Sequence, residues 1–346
     1  MSNVPHKLPL LSVVVPCKNE ESFMAAVIEN ILAQDYPKNA LEVFLIDGMS
    51  TDGTLKIIEQ YVGEHDHLHL LINEAGYVPD GLNKAIKKAK GEVILRMDAH
   101  SIYPANYFSE LVSQMIDKDA DNVGGVWDIQ PGANTAIAKT IAFTNGHPFG
   151  IGNAQYRYAE GDFRWVDTVP FGCYKRSVFD EIGLFDEDLV RNQDDELNAR
   201  LIQNGGKILL IPSIKIKYFA RETLGKMARM FYQYGLYKPL ANRKLGKVST
   251  GRQLVPVWFV VVGFIGLVNC IFQPSMCLYF GIMVGIYILV ALLVSLPNAL
   301  KEKSLAQWLL SPFCFFVIHT SYGLGYLKGL YLILIAKKPK PKKINR

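Results

Sequence analysis

Cysteine is scarce in this sequence and shows no metal-binding or disulfide-framework spacing. There are five cysteines in 346 residues, none in a Cys-x-x-Cys pair, and three of them lie in strongly apolar stretches. This pattern excludes a disulfide scaffold and a zinc ribbon, and it favours free thiols in a reducing compartment. The five are Cys17, Cys173, Cys270, Cys277 and Cys314.

Strong net charge and an N-terminal signal core are also missing. The net charge of +5 is too small to indicate a nucleic-acid partner, so we expect none. Residues 1–10 contain Pro5 and Pro9 and no apolar run, which is unlike a secretory signal. We therefore expect the first domain to remain in the cytoplasm.

Charge is absent from two long apolar runs near the C-terminus. Residues 254–272 and 276–296 hold no charged side chain, and each is long enough to span a bilayer. A third region, 308–336, is interrupted by proline and three glycines, and we expect it to be irregular. The tail 337–346 carries five lysines and one arginine, and two spans would keep it on the cytoplasmic side. Three spans remain the alternative.

Strand and helix patterns alternate through the first 220 residues. Short apolar runs at 11–16, 42–46, 68–72 and 92–97 predict buried strands, and amphipathic stretches between them predict helices. This alternation predicts a parallel sheet with helices on both faces. Further strands are predicted at 166–174 and 207–211, and residues 223–237 predict a helix in the membrane interface.

Polar residues follow the predicted strands where each one ends. Asn19-Glu20, Asp47, and Asp98 with His100 would meet in the crevice beyond the carboxyl ends of a parallel sheet. Residues two apart on an extended segment share a face, so Asp98 and His100 could hold one cation. A divalent cation suits a diphosphate leaving group. The alternative is a helix-capping aspartate beside an exposed histidine.

Three consecutive acids begin a predicted helix at Asp194-Asp195-Glu196. One interpretation is a general base whose pKa is raised by its neighbours. The alternative is favourable contact with the helix dipole. Neighbours on a helix point about 100° apart, so the three cannot all face one hydroxyl.

Two histidine patterns carry weaker hypotheses. His65, His67 and His69 would share a strand face and could chelate a metal, although a solvated strand entry is the simpler interpretation. His319 lies in an apolar run, where it could be functional or could bond within a helix bundle.

The ordered set of motifs resembles family 2 glycosyltransferases of the GT-A fold. Details resemble the succinoglycan-type exopolysaccharide glucosyltransferase subfamily, and the match covers about residues 11–240. The motifs are Pro16-Cys-Lys-Asn-Glu20, Asp47-Gly-Met-Ser-Thr-Asp-Gly53, Arg96-Met-Asp-Ala-His100, Asp121-Asn-Val-Gly-Gly125, Val169-Pro-Phe-Gly172 and Arg191-Asn-Gln-Asp-Asp-Glu196.

The resemblance implies inverting transfer from a nucleotide sugar, usually a UDP-sugar, with Mg²⁺ or Mn²⁺ as cofactor. It implies that Asp98 and His100 contact the metal. It makes Asp194 the base, because Asp194 stands six places before Arg200, and it places Asp195 and Glu196 in the same catalytic group. The donor site would be lined by Pro16, Asn19, Glu20, Asp47, Asn83 and Asp98.

Three positions depart from the family pattern. Gly48 stands where the common Asp-Asp-Gly-Ser loop has its second aspartate, so one base contact must come from elsewhere. His100 ends the usual Asp-x-Asp and favours Mn²⁺ over Mg²⁺ if it binds metal. Gln233 begins a segment without the Arg-Trp of processive synthases, which indicates one sugar per acceptor.

The sequence therefore predicts an α/β protein with a Rossmann-like mixed GT-A sheet, an interfacial helix and membrane helices. We expect a cytoplasmic catalytic domain at 1–222 and an amphipathic segment at 223–250. A membrane region at 251–336 and a basic tail at 337–346 should follow.

The predicted function is transfer of a hexose to a lipid-linked saccharide in exopolysaccharide or surface-glycan synthesis, at the inner membrane in a multi-pass protein. One alternative is transfer to polyprenyl phosphate. The other is a non-catalytic membrane-anchored sensor of nucleotide sugars.

Overall fold

The computed structural model describes residues 8–335, so the basic tail predicted at 337–346 lies outside the described residues. Within them the chain divides into two compact units, and each unit draws on separate stretches of sequence. The first unit runs to Asp128 and resumes at Ala159–Tyr218; the second comprises Ile129–Tyr158 and the chain from Phe219 onward.

Four parallel strands form one half of the sheet, as the alternation of strands and helices predicts. In the parallel register Cys17 pairs with Asp47, Asp47 pairs with Ile72, and Val14 pairs with Arg96, so the carboxyl ends of the strands share one edge. These strands are β1 (Leu11–Cys17), β2 (Leu41–Asp47), β3 (Leu68–Ile72) and β4 (Val93–Arg96).

The other half of the sheet is built from antiparallel pairs, which makes the whole sheet mixed. The strands of this half are β5 (Ser101–Ile102), β6 (Asn122–Gln130), β7 (Arg164–Trp165), β8 (Cys173–Lys175) and β9 (Ile208–Phe219). β8 pairs antiparallel with both β4 and β6, and the strand order is β3-β2-β1-β4-β8-β6-β9-β5, with β7 on β9.

Two strand predictions in this half are wrong in extent. The stretch 166–174 is mostly loop, because Phe171 adopts a left-handed backbone (φ 48°) that a strand cannot contain, and only its end enters β8. In contrast, β9 continues past the predicted end at 211 through Pro212. Burial alternates along this extension, with Ile214 and Ile216 buried and Lys215 exposed, as expected of a strand with one face on the core.

Helices pack around the sheet through apolar residues at helical spacing. The first helix, for example, buries Met24, Val27, Ile28 and Ile31. The helices of the first unit are α1 (Glu21–Leu32), α2 (Thr54–Glu64), α3 (Val78–Lys88), α4 (Tyr107–Lys118), α7 (Arg176–Ile182) and α8 (Gln193–Gln203).

The second unit is helical and has its own core. Residues of the early segment, including Ile141 and Ala142, pack with Met227, Phe231 and Ile318 from much later in the chain. Its helices are α5 (Ala136–Gly146), α6 (Pro148–Ile151), α9 (Leu224–Leu245), α10 (Val255–Phe272), α11 (Met276–Lys301) and α12 (Leu305–Leu334).

The prediction of an irregular segment at 308–336 is wrong, because α12 is continuous through Pro312. Its glycines lie where neighbouring backbones come close. A Cβ at Gly325 would overlap the carbonyl oxygen of Tyr232 on α9, and one at Gly323 would overlap that of Pro256 on α10. These glycines therefore permit close helix packing, as small residues do between membrane helices.

His319 forms hydrogen bonds within the same unit. Its Nε2 lies 2.9 Å from the carbonyl oxygen of Phe149, and its Nδ1 lies 3.0 Å from the hydroxyl oxygen of Tyr287. Both ring nitrogens therefore have partners, and the hydrogen-bonding interpretation of this histidine fits the structure.

Two helices, α10 with its preceding turn and α11, are long and apolar enough to cross a membrane. In the most apolar stretch of α10 no residue is buried, and in that of α11 very few are. A core helix of a soluble protein would be mostly buried, so the exposed apolar surface of these two helices favours a lipid environment.

Candidate active site

The candidate residues gather at the carboxyl edge of the parallel strands in the first unit. Asp47 is the last residue of β2, and Asp98 follows β4 by two residues. Asp194 lies in the first turn of α8 and reaches the same edge through an ion pair with Arg96, the last residue of β4. The sheet register places Asp47 and Asp98 at one edge, and the ion pair with Arg96 brings Asp194 to that edge.

The loops after β1 and β2 are tied together by short hydrogen bonds. The Asn19 backbone N–H donates to Ser50 Oγ at 2.9 Å, and the Thr51 N–H donates to Asn19 Oδ1 at 2.8 Å. Asn19 and Met49 both adopt left-handed backbones, with φ of 55° and 63°. The side chain of Asn19 thus holds the loop that follows Asp47, while its predicted contact with a nucleotide stays a prediction.

Asp47 is almost fully buried, and only one of its two carboxylate oxygens accepts a hydrogen bond from the described residues. Its Oδ2 accepts a hydrogen bond from the Ser50 N–H at 3.0 Å. Its Oδ1 accepts none from residues 8–335. An unpaired buried carboxylate oxygen is costly, so Asp47 is suited to accept a donor group from a ligand.

His100 lies between two carboxylates. Its Nδ1 is 3.1 Å from Glu20 Oε1, and its Nε2 is 3.2 Å from Asp98 Oδ1. The Asp98 N–H donates to the hydroxyl oxygen of Tyr103 at 2.7 Å, which fixes the turn that carries both residues. Burial raises the pKa of Tyr103, so this phenol remains protonated.

The pair Asp98 and His100 fits a divalent cation. Adjacent ligands around an octahedral ion with bonds of about 2.1 Å lie about 3 Å apart, close to the separation of Asp98 Oδ1 and His100 Nε2. No group of three or more His, Cys, Asp or Glu residues within the described chain is arranged to hold a metal. Asp98 and His100 are the two side chains that would hold a cation here.

Arg96 lies between the candidate cation ligands and the candidate base. Its Nη1 donates to Asp194 Oδ2, and its guanidinium lies 5.7 Å from the centre of the Phe171 ring. Burial opposes the charged form of Arg96, but the carboxylates of Asp194 and Asp98 outweigh burial and raise its pKa. Arg96 therefore stays charged beside both acids. Asp194 Oδ1 accepts no hydrogen bond from the described residues.

The three acids of α8 diverge, as their helical spacing predicts. Asp195 Oδ1 accepts a long hydrogen bond of 3.5 Å from Thr168. Glu196 is buried, and its carboxylate accepts hydrogen bonds from Nε and Nη2 of Arg200, at 2.9 and 2.8 Å. Arg200 also donates to the carbonyl of Leu184, so the pair of Glu196 and Arg200 anchors a loop. Asp194 is paired with Arg96 at the strand end that precedes Asp98.

Two predicted donor-site residues have contacts that do not themselves indicate a ligand. The side-chain amide of Asn83 donates to the Phe185 carbonyl at 2.8 Å and accepts from the Phe185 N–H at 3.0 Å. These contacts favour a role in holding the loop before α8. Pro16 lies within β1 opposite Ile46. Nucleotide contacts of both residues stay predictions.

The alternating histidines do not converge. The rings of His65 and His67 lie 5.9 Å apart, whereas His69 packs against Phe44 with ring centroids at 5.3 Å. Burial lowers the pKa of His67, which favours the neutral ring. These contacts do not bring the three rings to one point, so they do not fit a chelating site.

Comparison with known proteins identifies the family. The sequence matches the model of glycosyl transferase family 2 over residues 12–183. It is 28% identical over 329 residues, 92% of this chain and 97% of the relative, to a dolichyl N-acetyl-alpha-D-glucosaminyl phosphate 3-beta-D-2,3-diacetamido-2,3-dideoxy-beta-D-glucuronosyltransferase of Methanococcus voltae. It is also 28% identical to the succinoglycan biosynthesis protein ExoA of Rhizobium meliloti, over 73% of this chain and 76% of that protein.

A solved structure shares the fold. The mannosyltransferase PcManGT from Pyrobaculum calidifontis, determined with GDP-Man and Mn²⁺, superposes with a TM-score of 0.60 at 18% identity, over 94% of this chain and 88% of that one. The mixed sheet and the polar residues at the carboxyl edge of its parallel strands agree with these matches. We conclude that this chain belongs to glycosyltransferase family 2 and has a GT-A catalytic fold.

Proposed function

We propose that this glycosyltransferase moves a sugar from a nucleotide donor to a lipid-linked saccharide, with inversion at the anomeric carbon. The observation that carries the proposal is the pairing of Asp194 with Arg96, which brings a carboxylate from α8 to the strand end holding Asp98 and His100. A base beside a diphosphate-binding pair is the arrangement that direct displacement requires.

In this mechanism Asp194 takes the proton from an acceptor hydroxyl, and Oδ1 is the atom we assign to this step. The hydroxyl oxygen then forms a bond to the anomeric carbon as the bond from that carbon to the diphosphate oxygen breaks. Asp47 accepts a hydrogen bond from the donor nucleotide, and Asp98 with His100 would hold the cation. A bound cation neutralises charge on the departing diphosphate.

The acceptor class is proposed from the relatives and from the exposed apolar helices. The Methanococcus relative is named for a dolichyl-phosphate-linked sugar acceptor, and the Rhizobium relative for succinoglycan biosynthesis. The apolar surfaces of α10 and α11 would place this chain in a membrane, where a lipid-linked acceptor is found. We place the protein in the plasma membrane as a multi-pass protein with its catalytic unit in the cytoplasm.

The nature of the donor and the cation is also a proposal. PcManGT was solved with GDP-Man and Mn²⁺, which supports a nucleotide sugar and a divalent cation in this fold. A UDP-hexose is the donor that we propose for this chain.

Donor turnover by the full chain in membranes tests the proposal. A panel of UDP- and GDP-sugars is supplied with lipid-linked saccharides and with polyprenyl phosphate, and the lipid products are separated. We expect Asp194→Asn to lower transfer by about 10²–10⁴-fold, the usual contribution of a general base. The matched control, Asp180→Asn at an exposed position of α7, should retain most of the activity.

Each outcome has a distinct meaning. Equal background turnover by wild type and Asp194→Asn across the whole panel would contradict an enzyme and favour the nucleotide-sugar sensor. A sugar monophosphate lipid as the product would favour transfer to polyprenyl phosphate instead of to a lipid-linked saccharide.

A further inference from the structure

The mechanism proposed above gives no role to the contact between Glu20 and His100. The imidazole of His100 is held on both sides: Glu20 Oε1 lies on the Nδ1 side and Asp98 Oδ1 on the Nε2 side. Glu20 is a predicted donor-site residue, yet its side chain is only one-tenth exposed. Its carboxylate therefore faces the histidine more than it faces solvent.

Glu20 is itself fixed by the loop after β2. Its backbone N–H donates to Thr54 Oγ1 at 2.8 Å, and the Thr54 hydroxyl donates to Asp52 Oδ1 at 2.6 Å. Asp52 Oδ2 also accepts from the N–H of Glu21, the first residue of α1. These contacts anchor the backbone that positions the Glu20 carboxylate, so the carboxylate provides a fixed acceptor.

The two carboxylates alone do not decide which nitrogen of His100 carries hydrogen, because each of them can only accept. A cation held between Asp98 and His100 would decide it. Nε2 would then present its lone pair to the ion, and the proton would lie on Nδ1, where Glu20 Oε1 can accept it. A metal ligand histidine whose other nitrogen donates to a carboxylate is a recurrent arrangement that fixes both tautomer and ring orientation.

Glu20 cannot be a third ligand of the same ion in this arrangement. It approaches the opposite nitrogen of the ring from Asp98, and an imidazole ring separates its Oε1 from the Asp98 oxygen. The absence of any three-ligand group in residues 8–335 agrees with this geometry.

We propose that Glu20 is a positioning residue that acts through His100, holding it as a nitrogen ligand beside Asp98 and biasing the site toward Mn²⁺ over Mg²⁺. The inference rests on the cation site of the proposed function. Mn²⁺ is a transition-metal ion and accepts an imidazole nitrogen more readily than Mg²⁺ does, so one nitrogen ligand shifts the preference from Mg²⁺ toward Mn²⁺.

Electron paramagnetic resonance of Mn²⁺ tests this directly, without measuring turnover. Mn²⁺ is titrated into the full chain in detergent in the presence of UDP or of GDP, and the nitrogen coupling of bound Mn²⁺ is recorded by electron spin echo modulation. Wild type should show ¹⁴N modulation from an imidazole ligand. His100→Gln should bind Mn²⁺ without it.

Variants of Glu20 distinguish positioning from direct ligation. Glu20→Ala should weaken Mn²⁺ binding by about 10–100-fold, the usual effect of losing the partner of a ligand histidine. Glu20→Gln keeps an oxygen acceptor for Nδ1–H and should restore most of the affinity and the ¹⁴N signal. The matched control is Glu21→Gln, the exposed neighbour at the start of α1, which should match wild type. Thermal unfolding of each variant reports whether it is folded.

Three results would overturn the inference. The first is that wild type binds Mn²⁺ but shows no ¹⁴N modulation. The second is that wild type binds no Mn²⁺ with either nucleotide. The third is that Glu20→Ala folds and keeps the wild-type affinity and modulation. If Glu20→Ala does not fold, the wild-type spectrum and Glu20→Gln decide. Transfer activity is measured separately, so an enzyme without a nitrogen ligand would leave the proposed function standing.

Discussion

At the scale of single residues, Arg96 determines how the candidate base is presented. It is a buried cation at the end of β4, and it meets Asp194 Oδ2 while remaining close enough to Asp98 to be stabilised by it. A buried charge that loses its partner is costly, so the position of Arg96 depends on Asp194.

Removing Arg96 should therefore disable Asp194 without altering Asp194 itself. We expect Arg96→Met to lower kcat by about 10²-fold, in the range found when a general base is lost or misplaced. Arg96→Lys should recover part of the rate because it keeps the charge but not the planar guanidinium. Steady-state kinetics with saturating donor measures both. Arg176→Met, at the start of α7, is the control, and a wild-type rate in Arg96→Met would contradict the role.

The sequence predicted the acids of this site better than their partners. Asp47 and Asp98 end short apolar runs, and strand ends in a parallel sheet meet at one edge, so their proximity followed from pattern alone. Arg96 carried a visible signal, a charge inside a short buried strand, which marks an internal partner. That the partner would be Asp194 depended on how α8 packs, and local sequence does not encode this contact.

At the scale of elements, α12 shows how glycine can act in two opposite ways. In water a glycine weakens a helix, which is why an irregular segment was predicted at 308–336. In the structure Gly323, Gly325 and Gly329 instead face neighbouring backbones, and Gly235 of α9 faces the carbonyl of Tyr322. Tertiary packing thus outweighs helix propensity, and a single sequence does not reveal the packing partner.

Substitution of an interface glycine should therefore destabilise the protein, whereas an exposed one should not. We expect Gly325→Ala to cost about 1–3 kcal/mol, because the new methyl group would overlap the Tyr232 carbonyl and the helices must separate. Thermal unfolding of the detergent-solubilised chain measures this. Gly285→Ala in α11, where a Cβ meets nothing, is the matched control. An unchanged melting temperature in Gly325→Ala would contradict close packing.

At the scale of the whole molecule, attachment to the membrane should depend on apolar helices and not on charge. The outward residues of α10 and α11 are large and apolar, including Trp258, Phe264, Ile271 and Leu278. Such a continuous apolar surface favours contact with lipid or detergent. The basic tail alone would give binding that salt reverses.

Extraction of isolated membranes distinguishes these two modes of attachment. We expect the full chain to remain in the pellet after washes with about 1 M salt, which shortens the screening length to about 3 Å, and after alkaline carbonate. Detergent should release it. A chain lacking residues 337–346 is the matched control and should behave in the same way. Release of the full chain by salt or carbonate would contradict membrane-spanning helices.

Membership of Ile129–Tyr158 in the helical unit constrains the order of events during synthesis. The buried face of α5 leaves the ribosome long before Met227, Phe231 and Ile318 exist to cover it. Domains generally fold as they emerge, yet this stretch must wait for the end of translation. The nascent chain therefore carries an uncovered apolar helix through most of its production, and fragments that end before α12 should be recognised by chaperones or degraded.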